Sequence, residues 1–190
     1  MYYFLRVNGD TGHNNRNDTA CFVPGEPPAF PNTYFNYLDF CLKKDIVRIG
    51  WPDSGDLTAS VSKTGALATC YDLDTVPSHV RAYLLSFRVI ALRSIILVPD
   101  KDHPGDIYIC AVTGGYHYFH NVPTAPYECA HRLKVVWDKD ISGHPTRYSA
   151  SQLGIGIQGG FWRKAFHEFP PGDPIINNID VVRAAARMNT

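Results

Sequence analysis

Glutamate is scarce in this chain. Of 18 acidic residues only Glu26, Glu128 and Glu168 are glutamates, and the other 15 are aspartates. Many of those aspartates stand beside glycine or proline, where a short carboxylate caps and turns the backbone. Net charge is lacking too, because 18 Lys and Arg balance the 18 acidic residues. That excludes a uniformly basic nucleic-acid binder and leaves any grip on phosphates to a local patch. The five cysteines (Cys21, Cys41, Cys70, Cys110 and Cys129) are odd in number and form no CxxC. The pattern argues against a disulfide frame or a thiolate zinc site and for reduced thiols in a cytoplasmic protein. No apolar run approaches the roughly 20 residues of a membrane helix, and the start MYYFLRVNGD has no charged-then-apolar leader.

What is present can build a core. With 190 residues, 45% hydrophobic and 13% aromatic, a single domain is expected over about 1–170, followed by a tail at 171–190. YYFLRV (2–7) reads as a strand ending at Asn8-Gly9-Asp10, and 10–32 as a long polar, Pro/Gly-rich loop. Over 33–43, Tyr34, Tyr37, Leu38, Cys41 and Leu42 fall on one helical face, and 46–49 follows as a short strand. Ser78 caps a second predicted helix at 79–91, with Val80, Tyr83, Leu84, Phe87 and Ala91 inward and Arg81 and Arg88 on one flank. RSIILV (93–98) and DIYICAV (106–112) read as strands joined by the turn PDKDHPG. HRLKVVW (131–137) alternates, with Leu133, Val135 and Trp137 facing one way and Arg132 and Lys134 the other. LGIGIQGGFW (153–162) fits a strand or a loop, and the tail IDVVRAAARM a short helix. Together these predict an α+β domain, a curved and mostly antiparallel sheet or open barrel flanked by helices.

Three chemistries compete for the polar residues. His117, His120, Glu128 and His131 are close enough in sequence to raise a metal-dependent nuclease or base-processing enzyme. However, alternation puts His117 opposite Tyr116 and Tyr118, and neither HExxH nor zinc-finger spacing occurs. The Pro-Asp pairs in WPDSGD and VPDKD have no acidic-x-Lys triplet at useful distance, and turn chemistry accounts for them. Nucleophilic catalysis has no GxSxG, Cys110 lies within an apolar strand, and the glycine pairs lack a phosphate-loop context. These readings predict no catalytic residue, metal or cofactor. Binding remains. In VTGGYHYFH (112–120), polar rings follow two glycines, the combination a base-stacking pocket needs: flat faces plus close approach of the backbone. Ordinary half-buried strand tyrosines fit the same nine residues.

Three segments in order carry a resemblance: IVRIGWPDSGDL (46–57), DIYICAVTGGYHYF (106–119) and AHRLKVVW (130–137). They are similar to motifs of the EVE-like domains of the PUA superfamily, found at the N-termini of modification-dependent restriction endonucleases and in related prokaryotic defence proteins. The resemblance spans roughly residues 1–140 with gaps. It implies a PUA-type curved sheet and a pocket that takes a base flipped out of DNA, such as 5-methyl- or 5-hydroxymethylcytosine. By matching position, Asn8 and Gly9 would offer backbone contacts, Gly50, Trp51, Pro52 and Ser54 one wall, and Tyr116 with Tyr118 the rim. Arg81, Arg88, Arg132 and Lys134 are the candidate contacts to the DNA backbone. ALRS stands where the family has a Lys/Pro-Gly-Asp before the strand at 93–98, and the 10–32 loop is extra. No nuclease or ATPase domain follows, which implies a free-standing reader or one subunit acting with a separate nuclease or effector. An RNA-binding module of the same superfamily is a further alternative.

Overall fold

The computed structural model describes residues 1–7, 37–49, 57, 78–100, 102–118, 131–156 and 166–188. In chain order the elements are β1 (Tyr2–Leu5), α1 (Tyr37–Lys44), β2 (Ile46–Ile49), α2 (Ser78–Arg88), β3 (Ile95–Pro99), β4 (Asp106–Tyr118), β5 (His131–Trp137), β6 (Arg147–Ser149), β7 (Phe166–Phe169) and α3 (Pro174–Met188). The strands form a seven-stranded sheet of order β2-β5-β4-β3-β1-β7, with β6 added beside β4. Among the described residues the sheet is open, edged by β2 and β7, and the β1–β3 pairing is parallel while the other five are antiparallel. The fold is α+β with a mixed, mostly antiparallel sheet.

Strand alternation divides the side chains between two cores. Tyr3, Leu5, Ile96, Val98, Tyr108, Cys110, Val112, Leu133, Val135 and Trp137 share one face with Leu38 and Cys41 of α1 and Val80, Leu84 and Phe87 of α2. The i, i+4, i+7 spacing in α2 gives it one buried stripe. The intervening Phe4, Leu97, Ile107 and Ile109 turn to the other face and meet Tyr148, Leu153, Ile155, Phe169 and Ile179 of α3. In α1, Asp39 opens the helix and Lys43 and Lys44 close it, complementing the helix dipole. Asp45, at φ 50°, then turns the chain straight into β2, a conformation aspartate tolerates better than most residues.

The predicted elements appear with altered limits. The strand expected at 106–112 runs on through Gly114 and Gly115 to Tyr118, because β5 continues to pair with it beyond the glycines. The second helix ends at Arg88, and Ala91 lies exposed beyond it. The PDKDHPG turn is organised by the buried Asp100, whose carboxylate accepts from the backbone N–H of Asp102 at 2.9 Å and of His103 at 3.2 Å. Within 153–162, Leu153 and Ile155 are buried around a turn at Gly154 (φ 74°), Gly156 is exposed, and 157–162 lie outside the described residues.

The helix at the tail is 15 residues long and packs on the sheet. Pro174 stands at its first position, and Asp173 Oδ1 accepts from Ile175 N–H at 2.9 Å. Arg183 holds Asp138 with two hydrogen bonds of 2.6 and 2.7 Å, and Tyr148 donates to the same carboxylate at 3.1 Å. The Asp138 hydrogen bonds raise the Arg183 pKa above its ordinary value. Strands β6 and β7 were not expected from the sequence. They are three and four residues long and form through their pairing with β4 and β1.

Candidate functional site

Tyr116 and Tyr118 end β4 and lie across from Leu133 and His131 of β5. Being two apart, they share a face, and His117 between them projects from the other, as alternation predicts. Between Val112 and Tyr116 the β4–β5 register shifts, so the glycine pair sits in a bulge that re-aims the strand end. A Cβ on Gly114 would come within 3.0 Å of the Lys134 Cβ, so glycine lets the lysine stem cross the bulge.

The tyrosine face is built around His131, which is 0% exposed. Its ring stacks on Tyr116 at 5.9 Å and 30°, and meets Tyr118 at 5.2 Å and 49°. The Tyr116 hydroxyl lies 2.7 Å from His131 Nδ1 and accepts from the Leu57 backbone N–H at 3.3 Å. Leu57 ends the 46–57 segment, Tyr116 belongs to the 106–119 segment, and His131 to the 130–137 segment. Three stretches distant in sequence therefore meet at one phenolic oxygen.

The reverse face carries the row Arg48–Arg132–His117, each opposite the next across the strands. Arg48 is 2% exposed with its guanidinium carbon 3.9 Å from the Tyr37 ring centre, and Arg132 is 9% exposed with its own 5.5 Å from that of Phe40. Cation–π contact gives these like charges favourable surroundings. Arg132, expected to meet phosphate, is thus a buried side chain, whereas Lys134 is exposed on the same face. Arg81 and Arg88, on α2, are half-buried. Sequence reading missed Arg48, Tyr37 and Phe40 as a group. A charged residue inside the apolar run IVRI was the available signal.

Asn8, Gly9, Gly50, Trp51, Pro52, Ser54, His120 and Glu128 lie outside the described residues. Their flanks are described. Ile49 pairs with His131, so β2 ends beside the tyrosines, whereas β1 runs opposite to β2 and Leu5 lies level with the start of β4. The strand directions thus bring Ile49, at the end of β2, beside Tyr116 and Tyr118, and carry Leu5, at the end of β1, to the other end of the sheet. His117 and His131 project from opposite faces, so these two members of the histidine cluster do not converge on one ion.

Elsewhere, an open groove is lined by Leu42, Tyr108, Asp140, His144, Pro145, Thr146 and Arg147. Arg147 Nε donates to the Tyr108 hydroxyl at 2.7 Å, which raises the arginine pKa. Cys41 and Cys110 are buried and free, and burial pushes the Cys110 thiol well above its ordinary pKa, toward the inert form. Among the described residues no helix is long and apolar enough to cross a membrane.

A family profile described as "Domain of unknown function (DUF8426)" matches residues 34–153. No curated protein matches the chain.

Proposed function

The chain belongs to the DUF8426 family of domains of unknown function, and for it we propose a non-enzymatic reader of modified nucleobases in DNA. The bases are of the 5-methylcytosine or 5-hydroxymethylcytosine type, taken flipped into an aromatic pocket of EVE-like, PUA-type character. The observation that carries this reading is the meeting of Leu57, Tyr116 and His131 at one oxygen. The segments that resemble the EVE-like motifs are used together, at the end of a sheet where half-buried tyrosine faces stand beside a glycine bulge. Base stacking on such rings stabilises binding by about 1–3 kcal/mol per base. The reader serves a prokaryotic restriction or defence system, with nuclease activity in a partner chain. The opposed directions of His117 and His131 weigh against a nuclease centred on the histidine cluster.

The test is a binding panel of duplexes that differ in one cytosine or adenine modification, with matched RNA as competitor. Selective binding of one modified-cytosine duplex is the expected result. Equal binding of all duplexes, or stronger binding of RNA, would sink the proposal. Plasmid cleavage by purified protein carrying a stoichiometric transition metal would replace it with the enzyme reading.

A further inference from the structure

Arg147 and Tyr108 stand directly across from each other where β6 pairs with β4, so their side chains share a face. Tyr108 is 5% exposed, and its ring meets that of Trp137 edge to face; the Trp137 indole N–H in turn donates to the Cys41 carbonyl of α1 at 3.3 Å. The Tyr108 hydroxyl accepts from Arg147 Nε at 2.7 Å. In that contact the oxygen accepts, so the phenolic proton remains to be given, and no described residue takes it. Arg147 Nη1 is 4.0 Å from Asp106, beyond hydrogen-bond length, so the guanidinium also keeps N–H groups to give.

Both residues line a groove of about 540 Å³ whose other walls are Leu42 of α1 and Asp140, His144, Pro145 and Thr146 of the turn between β5 and β6. That turn is fastened on itself. Asp140 Oδ1 accepts from Ser142 N–H at 2.8 Å and from His144 N–H at 3.0 Å, and Thr146 N–H donates to the Asp138 carbonyl at 2.8 Å. Walls held before a ligand arrives spare the cost of ordering them. Charge then decides what fits. Donors stand on the β4–β6 side and a carboxylate on the turn side. Asp106 and Asp140 offset the charge of Arg147, so a bare anion gains little net attraction here. A ligand with both a carboxylate and an ammonium meets each side with its complement.

We propose that this groove binds a small zwitterion of the aliphatic α-amino acid class. Its carboxylate sits on the Tyr108 hydroxyl and the Arg147 fork, which matches a carboxylate in geometry. Its ammonium turns to Asp140, and its side chain lies against Leu42 and Pro145. Tyr108 precedes Tyr116 by eight residues on β4, about 25 Å along an extended strand. The site is therefore separate from the tyrosine end, and it stands or falls independently of base reading.

Nitrogen-15 NMR of the whole chain titrated with L-leucine tests it. Saturable shifts are expected at the amides of Leu42, Tyr108, Thr146 and Arg147. Isocaproate, which lacks the ammonium, and isoamylamine, which lacks the carboxylate, should each bind about tenfold more weakly, the worth of a hydrogen bond to a charged group. Arg147→Met should weaken leucine about tenfold. Tyr108→Phe, which keeps the ring packed on Trp137, should weaken it about fivefold, the worth of one ordinary hydrogen bond. Asp140→Asn retains the Oδ1 that fastens the turn, and it should erase the advantage of leucine over isocaproate. Absence of a saturable shift at the groove overturns the proposal, as does a leucine affinity unchanged in all three variants. Isocaproate or inorganic phosphate binding as tightly as leucine also overturns it, by making the groove a plain anion site.

Discussion

The two halves of β4 live in different environments. From Asp106 to Val112 the strand is buried almost continuously, while from Thr113 to Tyr118 exposed and half-buried residues alternate. The first half has a core on each face, with α1 and α2 on one side and α3 with the 149–155 segment on the other. The second half has a core on one face, and its reverse face carries the exposed His117 and Lys134 with Arg132 between the strands. A strand covered on both faces has no side left for a ligand, whereas the second half keeps the His117 and Lys134 face exposed and its tyrosines on the other face only partly covered. The structural burden falls on the first half, and the second is the end of the strand to which base recognition is proposed.

The family match sharpens the contrast. Residues 34–153 contain α1, α2 and β2 to β6, but β1, β7 and α3 lie outside them. A fragment of residues 34–153 therefore keeps the whole of β4 and loses Phe4, Phe169 and Ile179 from the second core, while β3 becomes a bare edge. It is expected to lack a cooperative thermal transition and to bind a hydrophobic dye, the signs of secondary structure without fixed packing. A fragment that melts cooperatively near the temperature of the full chain would show that the doubly covered half is dispensable.

Paired substitutions measure the same difference at single residues. Phe4 is fully buried between β3, β7 and α3, so Phe4→Ala should cost about 3–5 kcal/mol in urea unfolding. Tyr118→Ala removes a half-buried ring at the strand end and should cost about 1 kcal/mol. For binding the order reverses: Tyr118→Ala should lose about 1–3 kcal/mol toward modified DNA, and Phe4→Ala, where still folded, almost nothing. Equal stability losses would erase the distinction between the halves.

Arg183 and Asp138, with side chains 11% and 14% exposed, fasten α3 to the end of β5. Arg183→Met leaves the carboxylate largely buried without its bidentate partner and should cost about 3 kcal/mol, the low end for breaking a buried pair. Asp138→Asn paired with Arg183→Met should recover part of the loss, since no uncompensated charge then remains. The Arg183 pKa is raised above its ordinary value by the Asp138 hydrogen bonds, so its contribution is complete below that ordinary value and is lost only at still higher pH. Stability between pH 6 and pH 9 should therefore show no step from this pair.

How much of this was readable in advance follows the same division. The tyrosine end was legible because Tyr116, His117 and Tyr118 alternate in a strand and Leu133, Val135 and Trp137 alternate opposite them, a period of two that needs only one buried face. Helix α2 was legible for the matching reason, its one apolar stripe. Strands β6 and β7 escaped because RYS and FHEF are too short to display a period, and partners supplied from Tyr108 and Phe4 decide them. The burial of Arg132 escaped as well. Its position on the outer face was read correctly, but the Phe40 ring that covers it comes from α1, and periodicity within one strand does not report a neighbour from another element.

Cys110 gives a smaller test of the doubly covered half. Burial raises its thiol well above an ordinary 9.0, with Asp138 and Cys41 adding to the effect. An unfolded thiol releases its proton near 9.0 while the folded one keeps it, so stability is intact below that pH and falls above it. The slope from one such group is at most about 1.4 kcal/mol per pH unit. Cys110→Val should remove this part of the alkaline loss. Tyr2 and Tyr3, also raised by burial from 10.0, should keep a residual slope at higher pH. An unchanged profile between pH 8 and 10 would mean that the thiol is not enclosed as the fold places it.

The smallest expected effect on the fold is the most informative for the recognition half. Lys134 is exposed on the reverse face, its stem crossing the bulge at Gly114, while Arg132 beside it is buried against Phe40. Of the two, Lys134 is free to neutralise a phosphate without leaving a packed position. Lys134→Ala should change stability by no more than about 0.5 kcal/mol. Each phosphate contact contributes about −0.9 to the slope of log affinity against log salt, so the variant's slope should be shallower by about one. Because phosphate contacts carry no base information, affinity for modified and unmodified duplexes should drop together. Arg132→Ala, by contrast, should act first on stability, through lost packing on the Phe40 ring. If instead Arg132→Ala flattens the salt dependence in a fully stable protein and Lys134→Ala leaves it unaltered, DNA approaches the sheet from somewhere other than this exposed flank, and the recognition half must be redrawn around the arginine row.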